Sequence, residues 1–348
     1  MTYSIVIATR NRSEALKLSL PWMLAQTRPP HQIIIVDSSD DLEASSMVIK
    51  AILKPSNVDW RLESSERGIT RQRNLGLSYS THPVTMFPDD DAIWFPNTAE
   101  EIMAVYDRDI EQEISAVCAT ESNFPPKDFP TTRRAGYSVS FTDRVRLRVM
   151  PWRRCLESTF VPDPLLIVGQ AFTSSFSLPS WFFECGVVPV DYMTGFRMSF
   201  RTAIARKNGF DTHLANYAVF EDVDASFNAW RSGAVVAARK AQVYHHRSPE
   251  RRGDAKQIAV QQILARAYVT AKHSSPGSRA RAYLRPFCQY KTFLYLLASR
   301  SAYGRARFSG ARAALRELRT FATVPSEQAA ESYSQSTVRC TNGQTSLT

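Results

Sequence analysis

The sequence predicts an α/β fold: a mixed, mainly parallel sheet flanked by helices, followed by a basic helical C-terminal extension. Three observations predict it. Short β-branched runs alternate with helically spaced apolar segments over about the first 120 residues, the pattern of strand–helix units in a parallel sheet. Asn11, Asp37 and the triplet Asp89, Asp90 and Asp91 fall just after apolar runs, where ligands of such sheets lie. The positive charge is local: residues 251 to 320 hold 15 Lys or Arg against only Asp254 and Glu317, in a chain of net charge +10.

The elements follow in order. "YSIVIATRN" reads as a first buried strand, and "SEALKLSLPWMLAQT" as a helix interrupted by Pro21, with Ser13 as its N-cap. "HQIIIVDSSDD" is a second buried strand ending on Asp37, and "RGITRQRNLGLSYS" has helical spacing. "PVTMFPDDD" is a third strand ending on the three carboxylates. "NTAEEIMAVYDRDIEQE" is an amphipathic helix and "ISAVCAT" a fourth strand. Residues 123 to 190, with many prolines and with Trp152, Trp181, Phe182 and Phe183, read as a sheet extension and loops covering the site. "GFRMSFRTAIARKNGFD" returns to strand then helix. "EDVDASFNAWRSG" is a helix stopped at Gly233, and "AVVAARKAQVYHH" a strand pair or extended run. From about 255 to 320 the pattern is helical and basic. The Ser/Thr/Gln-rich stretch beyond about 325 reads as disordered.

Composition excludes several classes. The 348 residues are 44% hydrophobic, which suits a packed core. Five well-separated cysteines without a CxxC pair exclude a zinc ribbon or disulfide scaffold and point to a reducing, cytoplasmic setting. The N-terminus lacks a signal-peptide pattern, and no run reaches a membrane span. Dinucleotide (GxGxxG), P-loop, HExxH and GxSxG signatures are absent. Any chemistry therefore rests on carboxylates.

Each candidate carries two readings. Asp89, Asp90 and Asp91 are either an acidic helix cap or ligands for a hard divalent cation, which takes carboxylate oxygens beside substrate phosphates. The flanking "MF" and "IWF" favour the second. Asp37 is an Asx turn or a ligand group at a strand end. Arg67, Arg71 and Arg73 form a solvated basic face or an anion site at a helix N-terminus. Glu221 and Asp222 are dipole-compensating charges or contain a general base. His245 or His246 is a satisfied strand-end histidine or the completion of a metal shell.

The order of these motifs, from SIVIATRNR and IIIVDSSDD through RGITRQRNLGL, MFPDDDAIWFP, TGFRMSFR and NGFD to FEDVD and VYHH, resembles the family 2 glycosyltransferases of the GT-A fold. The resemblance runs from about residue 3 to 247. It implies a Rossmann-like nucleotide-binding sheet. It assigns Thr9, Arg10, Asn11 and Asp37 to base and ribose. It matches the "ARN" helix to Gln72, Arg73 and Asn74, with Arg73 near the nucleotide, and the DxD signature to Asp89 and Asp91, with Asp90 between them and the most dispensable. Asp91 holds a divalent metal, Mn or Mg, on the diphosphate, with Asp89 assisting. Asp222, beside Glu221, is the general base, and His245 is preferred over His246 as the closing metal ligand. Two places depart from the family: Ala8 to Asn11 replace Pro-Thr-Tyr-Asn, and "NGFDT" replaces "GGFDE".

The expected function is therefore inverting transfer from a nucleotide-diphosphate-sugar to a saccharide or lipid-linked saccharide hydroxyl, in cell-surface or exopolysaccharide synthesis. A non-catalytic glycan- or membrane-binding module on the same fold is the competing expectation. The expected division is 1–115 for nucleotide-sugar binding, 116–250 for the acceptor half of the same domain, 251–322 for the basic helices and 323–348 for a disordered tail. Residues 255–320 read either as an element facing an anionic membrane surface or as a bundle packed on the catalytic domain. No nucleic-acid motif accompanies the charge, so no nucleic-acid partner is expected. The expected location is cytoplasmic, with a peripheral place at the inner face of the plasma membrane as the alternative.

Overall fold

The computed structural model describes residues 1–130, 160–177, 179–215, 219–247 and 254–342. The expectation of covering loops over residues 123 to 190 falls partly outside these residues, Trp152 included. The chain divides into two compact units: Met1–Pro126 with Gly169–Arg252, and Lys127–Val168 with Gly253–Thr348.

Among the described residues, the first unit is built on a nine-stranded sheet. β1 (Tyr3–Thr9) and β2 (Gln32–Asp37) are buried almost throughout, as their β-branched runs require. They pair in parallel, with Thr9 opposite Asp37, so both chain exits lie at one edge of the sheet. β3 (Asp59–Ser64) extends the parallel set beside β2, and β4 (Val84–Phe87) lies on the other side of β1. The helices α1 (Ser13–Leu24), α2 (Leu42–Leu53) and α3 (Ile69–Tyr79) make the crossovers. Pro21 lies within α1 without ending it, and its N-cap is Arg12 rather than Ser13.

Beyond β4 the sheet becomes mixed. After β5 (Ala92–Trp94) come α4 (Thr98–Arg108), β6 (Ile114–Ser122), α5 (Pro164–Ser175), α6 (Trp181–Glu184), β7 (Val187–Pro189), β8 (Met198–Arg201), α7 (Thr202–Asn208), α8 (Glu221–Trp230) and β9 (Ala234–His245). β8 runs antiparallel between β4 and β6, β9 runs parallel to β6, and β5 and β7 pair antiparallel with β9. β9 is one long strand rather than a pair, and its register against β6 shifts between Cys118 and Thr120. The core is the Ile/Val/Phe packing on both sheet faces, including Ile5, Ile7, Ile34, Val36, Phe87 and Phe200.

The second unit contains α9 (Ala255–Lys272), α10 (Arg279–Leu297), α11 (Ala302–Thr323) and α12 (Ala329–Asn342), packed on one another. Arg281, 3% exposed, ties this bundle together by donating to the carbonyls of Ala271, Ser274 and Val324. The tail expected to be disordered instead forms α12 up to Asn342. Its Ala329, Tyr333, Ser336 and Cys340 recur at helical spacing and are buried. Tyr333 stacks on Tyr268 of α9, at 4.9 Å between ring centroids. Apolar burial there outweighs the polar average of the segment. The four described cysteines, Cys118, Cys185, Cys288 and Cys340, are free. Among the described residues no helix is long and apolar enough to cross a membrane.

Candidate active site

The site forms where β1, β2 and β4 end. β4 stops at Phe87, and Pro88 turns the chain so that Asp89 to Asp91 lead into β5. β5 pairs with the end of β9 in the register Ala92 to His245. That pairing brings a histidine more than 150 positions away to the acidic triplet. His245 Nε2 lies 3.2 Å from Asp91 Oδ1, and its ring stacks on Phe196 at 4.5 Å and 19°. His246 takes a different part: its backbone N–H donates to the Asp91 carbonyl.

The three carboxylates have distinct surroundings. Asp89 is partly exposed, whereas Asp90 and Asp91 are 3% and 2% exposed. Asp90 Oδ2 accepts from Thr9 Oγ1 at 2.8 Å, and its carbonyl accepts from Ser19 Oγ. Arg12 donates 2.5 Å bonds to Asp90 Oδ1 and Asp91 Oδ2. Burial pushes the Asp90 carboxyl up to about 7, against the opposing pull of Arg12. Asp90 was the triplet member expected to matter least, yet it is the one that ties the triplet to β1 and α1. A carboxylate buried in this turn needs partners for its charge.

Burial opposes the charged form of His245. The Asp91 contact and the Asp89 charge outweigh it, so its pKa lies above the ordinary value. Atoms of Asp89, Asp91 and His245 lie within 4.8 Å of one another. Two carboxylate oxygens and an imidazole are a donor set that suits Mg²⁺ or Mn²⁺, so these residues fit such an ion.

Arg73 joins this cluster to the second acidic motif. It is 2% exposed and donates to Asp89 Oδ1 at 3.1 Å and to Glu221 Oε1 at 3.0 Å. A fully buried guanidinium between two carboxylates satisfies charges that would otherwise repel. Its neighbours on α3 are structural. Gln72 donates 2.8 Å bonds to the carbonyls of Thr9 and Val36, pinning the ends of β1 and β2, and Asn74 pairs with the backbone of Phe210. Arg71 pairs with exposed Glu66, a solvated contact.

Asp222 begins α8 beside Glu221. Its Oδ2 accepts from Gly195 N–H at 2.9 Å and its Oδ1 from Val223 N–H at 2.8 Å. Burial, then the Glu221 charge, push its carboxyl up to about 7. The helix is entered through Phe220 at φ 69°, an unusual backbone for an aromatic residue. A Cβ at Gly195 would lie 3.4 Å from Arg73, 3.6 Å from Glu221 and 3.7 Å from Asp222, in ordinary contact with all three.

The remaining predicted residues surround this centre. Asp37, 2% exposed, accepts from Ser39 N–H and Oγ through Oδ1 in an Asx turn, while its buried Oδ2 has no hydrogen-bond partner among the described residues. Asp37 also lines a cavity of about 440 Å³ with Trp60, Leu62 and Lys50. Arg10 and Asn11 turn toward the β2 exit: Arg10 pairs with Asp40 at 2.8 Å, and Asn11, at φ 54°, exchanges bonds with Asp40. Arg12 was missed by the sequence reading. The signal was the second arginine of "TRNR", which looks like an ordinary helix-start residue until the fold places it on two buried aspartates.

Residues 4–150 match the family model described as Glycosyl transferase family 2. No curated protein matches the chain. Among solved structures, the chain is similar to a mannosyltransferase, PcManGT from Pyrobaculum calidifontis, in complex with GDP-Man and Mn2+. That match has 16% identity and a TM-score of 0.51, and covers 99% of this chain and 88% of that one. It is also similar to S. aureus TarS 1-349 in complex with UDP-GlcNAc, at 12% identity and TM-score 0.52, over 99% and 93% of the two chains. The fold is that of the GT-A glycosyltransferases.

Proposed function

We propose that the protein is an inverting, metal-dependent glycosyltransferase of hexosyltransferase type. It moves a sugar from a nucleotide-diphosphate-sugar to a hydroxyl of a saccharide or lipid-linked saccharide. The observation that carries this reading is the pair of acidic motifs joined by Arg73: Asp89 on one side, and Glu221 with neighbouring Asp222 on the other. The donors named for the similar structures, GDP-Man and UDP-GlcNAc, support a donor of this class.

In this reading Asp37 and its cavity take the base and ribose, and Asp89, Asp91 and His245 hold the divalent ion. The ion supplies charge neutralisation at the leaving diphosphate. The chain's own residues do the rest. Gly195 and Val223 N–H groups fix the Asp222 carboxylate, which takes the acceptor proton. The acceptor oxygen bonds to the anomeric carbon as the bond to the diphosphate oxygen breaks. The electron pair leaves with the nucleotide diphosphate. Attack opposite the leaving group inverts the anomeric centre. Polysaccharide synthesis at the cytoplasmic face of the plasma membrane is the setting we assign to it.

The test is transfer or hydrolysis across a panel of nucleotide-sugars with Mn²⁺. Asp222→Asn should cut turnover roughly 10²–10⁴-fold while leaving nucleotide binding intact; full turnover in that variant would sink the reading.

A further inference from the structure

The second unit carries a surface that the proposed chemistry does not use. Helix α10 is two-sided. Leu284, Phe287, Cys288 and Thr292 are buried in the bundle. On the opposite side, Phe293, Leu296 and Leu297 are 53%, 45% and 63% exposed. Their i, i+3, i+4 spacing makes them one continuous ridge. The chain then turns back into α11, whose first residues include Tyr303, 48% exposed.

The turn is tight. Gly304 lies so close to the Ala298 carbonyl that a Cβ would collide with it. Arg307 sits 4.2 Å over the Tyr295 ring and 5.9 Å from the Tyr303 ring. Tyr303 is thus held beside the end of α10, and it adds an exposed ring at the hairpin tip. Arg300 and Arg305 are exposed on the same tip. The sequence has no Asp or Glu from 255 to 316, against twelve Lys and Arg.

We propose that the α10–α11 hairpin tip docks on an anionic lipid surface. Its apolar ridge enters the acyl boundary, and Arg300 and Arg305 meet lipid phosphates. An apolar patch rimmed by one sign of charge is what such an interface recognises. Charge complementarity selects this occupant over a second copy of the chain, which would set arginine against arginine. The inference rests on the lipid-linked acceptor reading for its purpose, but its test reads binding alone. It can fail while the transfer chemistry stands, and the converse.

The experiment is flotation of the full chain with phosphatidylcholine vesicles, with and without phosphatidylglycerol. The chain should float with the anionic vesicles and not with pure phosphatidylcholine. Phe293→Ser/Leu296→Ser/Leu297→Ser should lose flotation without a change in melting temperature, because all three side chains are exposed. Arg300→Gln and Arg305→Gln should each weaken partitioning about fivefold, an effect erased by high salt. No flotation of the native chain, or equal flotation of the triple variant, overturns the proposal. So does concentration-dependent dimerisation without vesicles that the triple variant abolishes, which would make the ridge a contact between copies.

Discussion

Arg12 donates from Nη2 to Asp91 Oδ2 at 2.5 Å. It thereby holds one oxygen of a candidate metal ligand while its Nη1 neutralises Asp90. A side-chain cation and a divalent ion therefore seek the same carboxylate. Arg12→Met should lower stability by about 1.5–3 kcal/mol, the cost of stranding a buried carboxylate. Added Mn²⁺ should then raise the melting temperature more in the variant than in the native protein, because the competing cation is gone. Equal Mn²⁺ shifts would show that Arg12 and the ion do not compete.

Asp222 sets the expected pH dependence. With its carboxyl at about 7, the base form grows as pH rises, so kcat/KM should climb through about pH 7 and then level. Stability should move the other way. The unfolded group titrates near 3.8 and the folded one near 7. Between those values the folded state holds the extra proton, and stability falls as pH rises. Asp222→Asn should flatten the rate profile, reduce the slope of the stability profile, to which Asp90 contributes over the same range, and cut turnover roughly 10²–10⁴-fold. Melting curves from pH 4 to 8 and initial rates over the same range would check it; unchanged pH profiles would contradict the assignment.

Arg73 is the shared partner of Asp89 and Glu221, and its planar fork reaches both. A lysine has one charged nitrogen and cannot hold the two in the same way. Arg73→Lys should therefore keep the fold but reduce kcat, and Arg73→Met should cost on the order of 3–5 kcal/mol by leaving Glu221 buried and unpaired. Chemical denaturation of both variants distinguishes them; a fully stable Arg73→Met would contradict the bridge.

The buried Oδ2 of Asp37, without a hydrogen-bond partner among the described residues and beside a cavity of about 440 Å³, predicts a polar contact to the nucleoside. Asp37→Ala should weaken nucleotide diphosphate binding by about 1–3 kcal/mol without altering Mn²⁺ binding to the free protein. Calorimetric titration checks this. A variant with native nucleotide affinity would remove Asp37 from the donor site.

Much of this was legible in the chain. β1 and β2 were readable because continuous Ile and Val runs mark strands buried on both faces. Motif order singled out the outer carboxylates and His245, and the fold brings their atoms within 4.8 Å of one another. "DWRLES" was not, because β3 is mostly polar and only half-buried, so its pattern carries little hydrophobic signal. β5 was not, because three residues are too few to show a period; yet this strand is what sets His245 against Asp91. Arg12 was invisible for a related reason: its importance lies in a contact 79 positions away. The tail helix had a signal, the spacing of Ala329, Tyr333, Ser336 and Cys340, masked by its polar composition.

The central claim is that Asp89, Asp91 and His245 hold a divalent ion that a nucleotide diphosphate-sugar needs for binding. The most direct measurement is the thermal shift produced by GDP-mannose, UDP-N-acetylglucosamine and related donors, each with and without Mn²⁺, in the native protein and in Asp91→Ala. The account predicts that at least one donor raises the native melting temperature only when Mn²⁺ is present, and that Asp91→Ala loses that shift. A Mn²⁺-independent shift of equal size in both proteins would contradict it.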